Sequence, residues 1–181
     1  MLNITPDDDP RMTGAAPRDD DNGINNSRRV ARANYTGTER EFNEFGRAVD
    51  FCLSIHANAI GSGDDFLGDP AVSSAAGIET LYQPATRPTS SISREYADIV
   101  QTKLAEIGRV YGQRERANRI FASSASALLT GTNMPTVLTE SGFMTNFSDA
   151  ILLMDDGYRR KTVEAMSDAV DEIFELWRSR R

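Results

Sequence analysis

Two short runs in this sequence carry side chains able to bind a metal or move a proton. Ser54-Ile-His-Ala-Asn-Ala59 holds the only histidine of the chain, His56, and Met134-Pro-Thr-Val-Leu-Thr-Glu-Ser-Gly-Phe-Met-Thr-Asn146 holds Glu140. A neutral imidazole is a good ligand for a divalent ion, and a carboxylate can take a proton from water and pass it on. Metal-assisted hydrolysis needs both. The ion polarises a carbonyl and acidifies a bound water, and the carboxylate receives the water's proton and delivers it to the leaving group. Taken singly, each residue has a plainer reading. A lone histidine at a strand end is usually a hydrogen-bonded structural residue, and a glutamate there is commonly a solvated loop residue or a helix-cap partner. Together, at the ends of two neighbouring strands, they could serve as ligand and base, because sites in open α/β sheets form just beyond the carboxyl ends of the strands.

The surrounding elements must place them there. Val49, Phe51, Leu53 and Ile55 alternate with Asp50, Cys52 and Ser54, which predicts a strand leading to His56. Thr136 to Thr139, β-branched and following Pro135, predicts a strand leading to Glu140. Further strands are predicted at Leu2–Thr5, Gly77–Tyr82 and Arg119–Phe121. Tyr96, Ile99, Val100, Leu104 and Ile107 follow helical spacing, with Ser93 placed to cap the start and Gly108 the end. Ser148 can cap a short helix through Met154. A last helix from about Gly157 to Trp177 puts Val163, Met166, Val170, Phe174 and Trp177 on one face. Ser27 to Asn34 reads as a short helix, and Thr38 with Glu41 as a capping box. The stretches 6–26, 60–76 and 83–93 read as loops. Alternating strands and helices predict the α/β class: a mainly parallel sheet flanked by helices, in a single domain spanning 1–181.

Composition narrows the function. A chain of 181 residues can bury one sizeable core. Its formal charge of −7 and pI of about 4.8 argue against non-specific nucleic-acid binding. With one cysteine, Cys52, no internal disulfide can form, and its place in an apolar strand suits packing. No apolar run reaches the ~18 residues of a membrane span. Residues 1–30 are acidic and polar, with no secretory signal.

In order and separation, the histidine and glutamate runs resemble the zinc-dependent N-acetylmuramoyl-L-alanine amidases, which cut peptide stems from the glycan of bacterial cell wall. The resemblance is strongest over residues 49–177. Val49 to Ala59 is similar to the strand ending in a zinc-binding histidine. Gly77 to Tyr82 and Ser93 to Gly108 are similar to the following strand and helix, and Ala127 to Asn146 to the segment holding the catalytic glutamate. The resemblance implies His56 as a zinc ligand, Glu140 as general base, peptidoglycan as substrate and an envelope or extracellular location. Substrate-binding residues are not implied. It also implies two further ligands, a histidine in a glycine-rich turn after a first strand and a glutamate on the next helix, and neither motif occurs here. Three accounts stand: an N-terminally truncated chain, a degenerate homologue, or a ligand drawn from Asp7 to Asp9. Truncation is favoured because the missing strand, ligands and signal form one block. The two functional expectations are a zinc amidohydrolase with an incomplete Zn2+ site, and a catalytically incomplete peptidoglycan-binding or regulatory homologue.

Other residues carry smaller expectations. Glu79 resembles a recurrent acidic position in the family's strand, though not a ligand, and its plainer reading is a strand residue facing solvent or pairing with an arginine. Arg114, Arg116 and Arg119 read as a solvated charged face before an anion contact. Asn58 and Asn146 read as turn-formers. Ser123, Ser124 and Ser126 lack the strained turn a nucleophilic serine needs. The aspartates of residues 7–21 lack the spacing of a calcium loop.

Overall fold

The computed structural model describes Val30, Asn34 and residues 50–60, 75–108 and 120–180. Expectations for Leu2–Thr5, the acidic loop 6–26, the Thr38–Glu41 capping box and Arg114, Arg116 and Arg119 lie outside these residues. So does most of the helix expected at 27–34.

Four strands form one sheet: β1 (Cys52–Asn58), β2 (Glu79–Tyr82), β3 (Ile120–Ala122) and β4 (Thr136–Phe143). The helices are α1 (Ser90–Ala105), α2 (Ala127–Gly131), α3 (Phe147–Met154) and α4 (Asp156–Ser179). The strand order is β1-β4-β2-β3. β1 pairs with β4 in parallel, and so does β2 with β3, as the alternation of elements predicts. β2 and β4 run antiparallel, so the sheet is mixed. That reversal brings the start of β2 to the end of the sheet where β1 and β4 finish.

Successive residues of a strand point to opposite faces. One face carries Leu53, Tyr82 and Val137, and packs with Ile78 on Tyr96, Ala97, Val100 and Leu104 of α1 and on Met166, Ala169 and Ile173 of α4. Phe51 meets Tyr96 edge to face, with ring centroids 5.2 Å apart. The other face carries Leu81 and Leu138 against Leu129 of α2, with Phe121 beside them.

Several local readings shift. α1 begins one turn earlier than expected, with Thr89 at its N-cap. The Thr89 and Ser93 hydroxyls both donate to Gln83 Oε1, at 2.5 and 2.7 Å, so Ser93 is an interior residue of the helix. α3 is capped by Asn146, whose Oδ1 accepts from Ser148 N and Asp149 N, and not by Ser148. Gly108 lies beyond the end of α1, where a Cβ would come within 2.9 Å of Ile78 Cδ1. The buried face of α4 is Tyr158, Thr162, Ala165, Met166, Ala169 and Ile173, while Val163 is 63% exposed and Phe174 38%. The stripe is one position away from the bulky apolar residues that periodicity selects. α1 and α4 pack together, and small residues on the buried stripe let two helices approach closely.

Gln83, directly after β2, is fully buried. Its Nε2 donates to Thr132 O and Oγ1 at 3.2 and 3.1 Å, while its Oε1 takes the two α1 hydroxyls. One amide thus ties the start of α1 to the segment before β4. Gln83→Leu leaves these partners buried without it, and we expect a loss of ~2 kcal/mol in urea unfolding with the m-value unchanged. A midpoint equal to wild type would show that the neighbouring groups satisfy one another.

Candidate active site

In the parallel pairing of β1 and β4, His56 is the register partner of Glu140. In the antiparallel pairing of β4 and β2, Glu79 is also the register partner of Glu140. The three form one row across the sheet, with Glu140 in the middle. Register partners share a face, and alternation places this row on the face of Leu81 and Leu138, opposite α1 and α4. Both motif residues lie inside their strands rather than beyond the ends, because β1 runs on to Asn58 and β4 to Phe143.

Asn58, two residues past His56, points to the same face. Its Nδ2 donates to Glu79 Oε1 at 2.7 Å, and its Oδ1 accepts from Ala59 N at 2.7 Å. Since β4 separates β1 from β2, the Asn58 side chain crosses β4 to make this bond. Beyond His56 and Glu140 the register slips, and Asn58 pairs with Phe143. β4 takes up the extra residue near Gly142, whose φ of 148° suits glycine. Met144 N then donates to Asn58 O at 2.7 Å, and Ile60 N to Thr145 Oγ1 at 3.1 Å, so the two motif segments stay joined past the row.

The electrostatics follow from this packing. Glu79 is 4% exposed. Glu140 Oε2 is buried and has no hydrogen-bond partner among the described residues. Burial, and secondarily the charge of Glu79, push the Glu140 carboxyl from its ordinary 4.5 up to about 7. A carboxyl poised there exchanges its proton readily at neutral pH, as an acid–base catalyst must.

Two sequence readings are corrected. Glu79 is a buried member of the row, held by an asparagine, and not a solvent-facing strand residue. Asn58 does more than shape a turn, because it fixes Glu79. The available signal was an acidic residue inside an otherwise apolar strand, Gly77-Ile-Glu-Thr-Leu-Tyr82. Such a residue is seldom buried unless paired. Elsewhere the plainer readings match the structure. Ser126 caps α2, and the Ser123 hydroxyl accepts from Ala125 N, while Asn146 serves as the cap of α3 with an extended backbone (φ −108°) and not as a left-handed turn residue. Burial pushes the Cys52 thiol up, which disfavours a nucleophilic thiolate.

Residues 11–172 match the family described as N-acetylmuramoyl-L-alanine amidase. The chain belongs to this family. The YqiI protein of Bacillus subtilis (strain 168) is 28% identical over 160 residues, which cover 88% of this chain and 63% of that protein. The N-acetylmuramoyl-L-alanine amidase LytC of the same organism is 34% identical over 134 residues, covering 74% of this chain and 23% of LytC. The chain therefore spans less than two thirds of either relative. Among solved structures, an N-acetylmuramoyl-L-alanine amidase from Clostridium difficile 630 superposes with a TM-score of 0.62 at 25% identity, over 87% of this chain and 69% of that one. The amidase Ami1 from Mycobacterium smegmatis gives a TM-score of 0.64 at 22% identity, over 89% of this chain and 65% of its own, a likeness of fold. Family membership and the α/β fold with flanking helices thus agree with the reading of the sequence.

Proposed function

We propose that this chain is the larger part of a catalytic domain that hydrolyses the amide between N-acetylmuramic acid and L-alanine in peptidoglycan, acting at the cell envelope, with Glu140 as the acid–base residue. The observation that carries the reading is the row itself. It holds a half-buried carboxyl poised near neutrality, flanked on one side by a potential metal ligand and on the other by a second carboxylate. Glu140 would accept the proton of the attacking water and return it to the alanine nitrogen as the C–N bond breaks. Glu79 would keep its proton affinity high, and Asn58 would hold Glu79 in place.

The resemblance supplies zinc as the metal and His56 as a ligand. A catalytic zinc site uses three protein ligands and a water. Among the described residues no group of three His, Cys, Asp or Glu side chains could hold a metal ion. These residues therefore do not complete the site, and no step is derived through the ion. We expect the 181-residue chain, purified without added metal, to carry well under one equivalent of zinc. A full equivalent lost in His56→Ala would mean that the chain supplies the missing ligands.

Incubation with purified peptidoglycan and excess zinc tests the activity, a donor outside the described residues being needed to complete the site. Peptides with new L-alanine amino termini should appear without new reducing sugar ends. Reducing ends without new amino termini would place the cut in the glycan and overturn the proposal. His56 is the only histidine of the chain, so the second histidine ligand that the resemblance implies is missing, and this favours a second reading, a peptidoglycan-binding homologue without catalysis. It predicts co-sedimentation with peptidoglycan and no new amino termini at any zinc concentration.

A further inference from the structure

Asp149, in the first turn of α3, is 5% exposed. Its Oδ2 accepts two backbone N–H groups from distant parts of the chain, Gly77 N at 2.6 Å and Phe143 N at 3.0 Å. Gly77 lies two residues before Glu79, and Phe143 three residues after Glu140. Because β2 and β4 are antiparallel, both points are at the same end of the sheet.

In a reciprocal capping box the acid three residues into the helix bonds back to the N–H of the N-cap residue. Here that N–H, Asn146 N, donates to Phe143 O at 3.0 Å, and the Asn146 side chain caps the first turn. Asp149 Oδ2 grips both strand ends.

The backbone at both gripped points is adapted to it. Among the described residues, the glycines with positive φ are Gly77 (109°) and Gly142 (148°). Gly77 supplies one gripped N–H, and Gly142 directly precedes the other. A Cβ on Gly142 would come within 3.3 Å of Asp149 Cβ. Tyr158 of α4 donates its hydroxyl to Ser141 O at 2.8 Å, so the backbone after Glu140 is held at Ser141 as well as at Phe143.

We propose that Asp149 is a positioning residue for the acidic row: its carboxylate fixes the ends of β2 and β4 together so that Glu79 lies opposite Glu140 and within reach of Asn58. The proposal rests on the row being the catalytic site. It adds a residue that touches neither substrate nor metal and acts through the backbone of two strands.

The Asn58 side-chain amide is a built-in reporter, because it donates to Glu79. In the 15N-labelled full chain its two protons should give well-separated, slowly exchanging signals. Asp149→Ala should collapse that separation toward the free-amide value and speed exchange by ~10-fold or more, while the core methyl spectrum stays native. Asp149→Asn retains an oxygen able to accept both N–H groups and should keep the wild-type signal. If Asp149→Ala does not fold, Asp149→Ser takes its place, since a hydroxyl is too short to span both N–H groups. An unchanged Asn58 signal in the Ala or Ser variant would mean that Asp149 serves only its own helix, and would overturn the proposal. So would a loss in Asp149→Asn as complete as in Asp149→Ala. The functional reading fails separately, through full activity of a Glu140 variant, which would leave these spectra untouched.

Discussion

Glu140→Gln should lower the turnover of amide cleavage by roughly 10²–10⁴-fold in zinc-supplemented protein, the usual contribution of a positioned acid–base group. The substitution is nearly isosteric, and Glu140 Oε2 gives up no hydrogen bond to the described residues. Packing and peptidoglycan binding should therefore survive while proton transfer is lost. Release of L-alanine-terminated peptides gives the rate, and co-sedimentation with peptidoglycan gives the binding. His56→Ala should differ by weakening zinc binding itself, which separates a ligand from a base. Full turnover in Glu140→Gln would remove this residue from the mechanism, whatever the family.

The same substitution should stabilise the protein at alkaline pH. The folded carboxyl titrates at about 7 against an ordinary 4.5. Between these values the folded state binds the extra proton and the unfolded state does not. The stability tied to the protonated carboxyl is therefore fully present below about pH 4.5 and is lost as pH rises through about 7. At ~1.4 kcal/mol per pKa unit the loss approaches ~3 kcal/mol, and partial solvent contact makes this a ceiling. Glu140→Gln carries no ionisable group. Relative to wild type it should gain up to that amount at pH 8 and little at pH 4.5. Urea unfolding of both proteins at the two pH values measures the difference. Equal differences at both would show that the carboxyl is solvated enough to ionise freely. Together the two outcomes describe a residue kept for chemistry at a cost in stability.

The plain order of elements follows from local signals. Period-2 alternation marks β1, β-branched residues after Pro135 mark β4, and helical spacing marks α1 and α4. The two motif runs single out His56 and Glu140 for the same reason: each is a contiguous stretch whose residue types can be read without knowing the fold. The face of α4 is less legible. Several stripes of that helix are apolar enough, and only its partner α1 selects the one rich in small residues. The direction of β2 is not legible at all. Alternation shows which residues share a face of a strand, but not which strand lies beside it or which way that strand runs. Its antiparallel pairing with β4 puts Glu79 next to Glu140, and this changes a strand residue expected in solvent into part of the candidate site. The same holds for Asn58 reaching over β4, and for Asp149 gripping Gly77 from 72 positions away in the chain. By itself the sequence determined the α/β class and the family, and it singled out His56 and Glu140 as candidates. Only the tertiary structure decided that they share one row with Glu79 and that the Glu140 carboxyl is shifted there, because that row is made between segments whose proximity the fold alone creates.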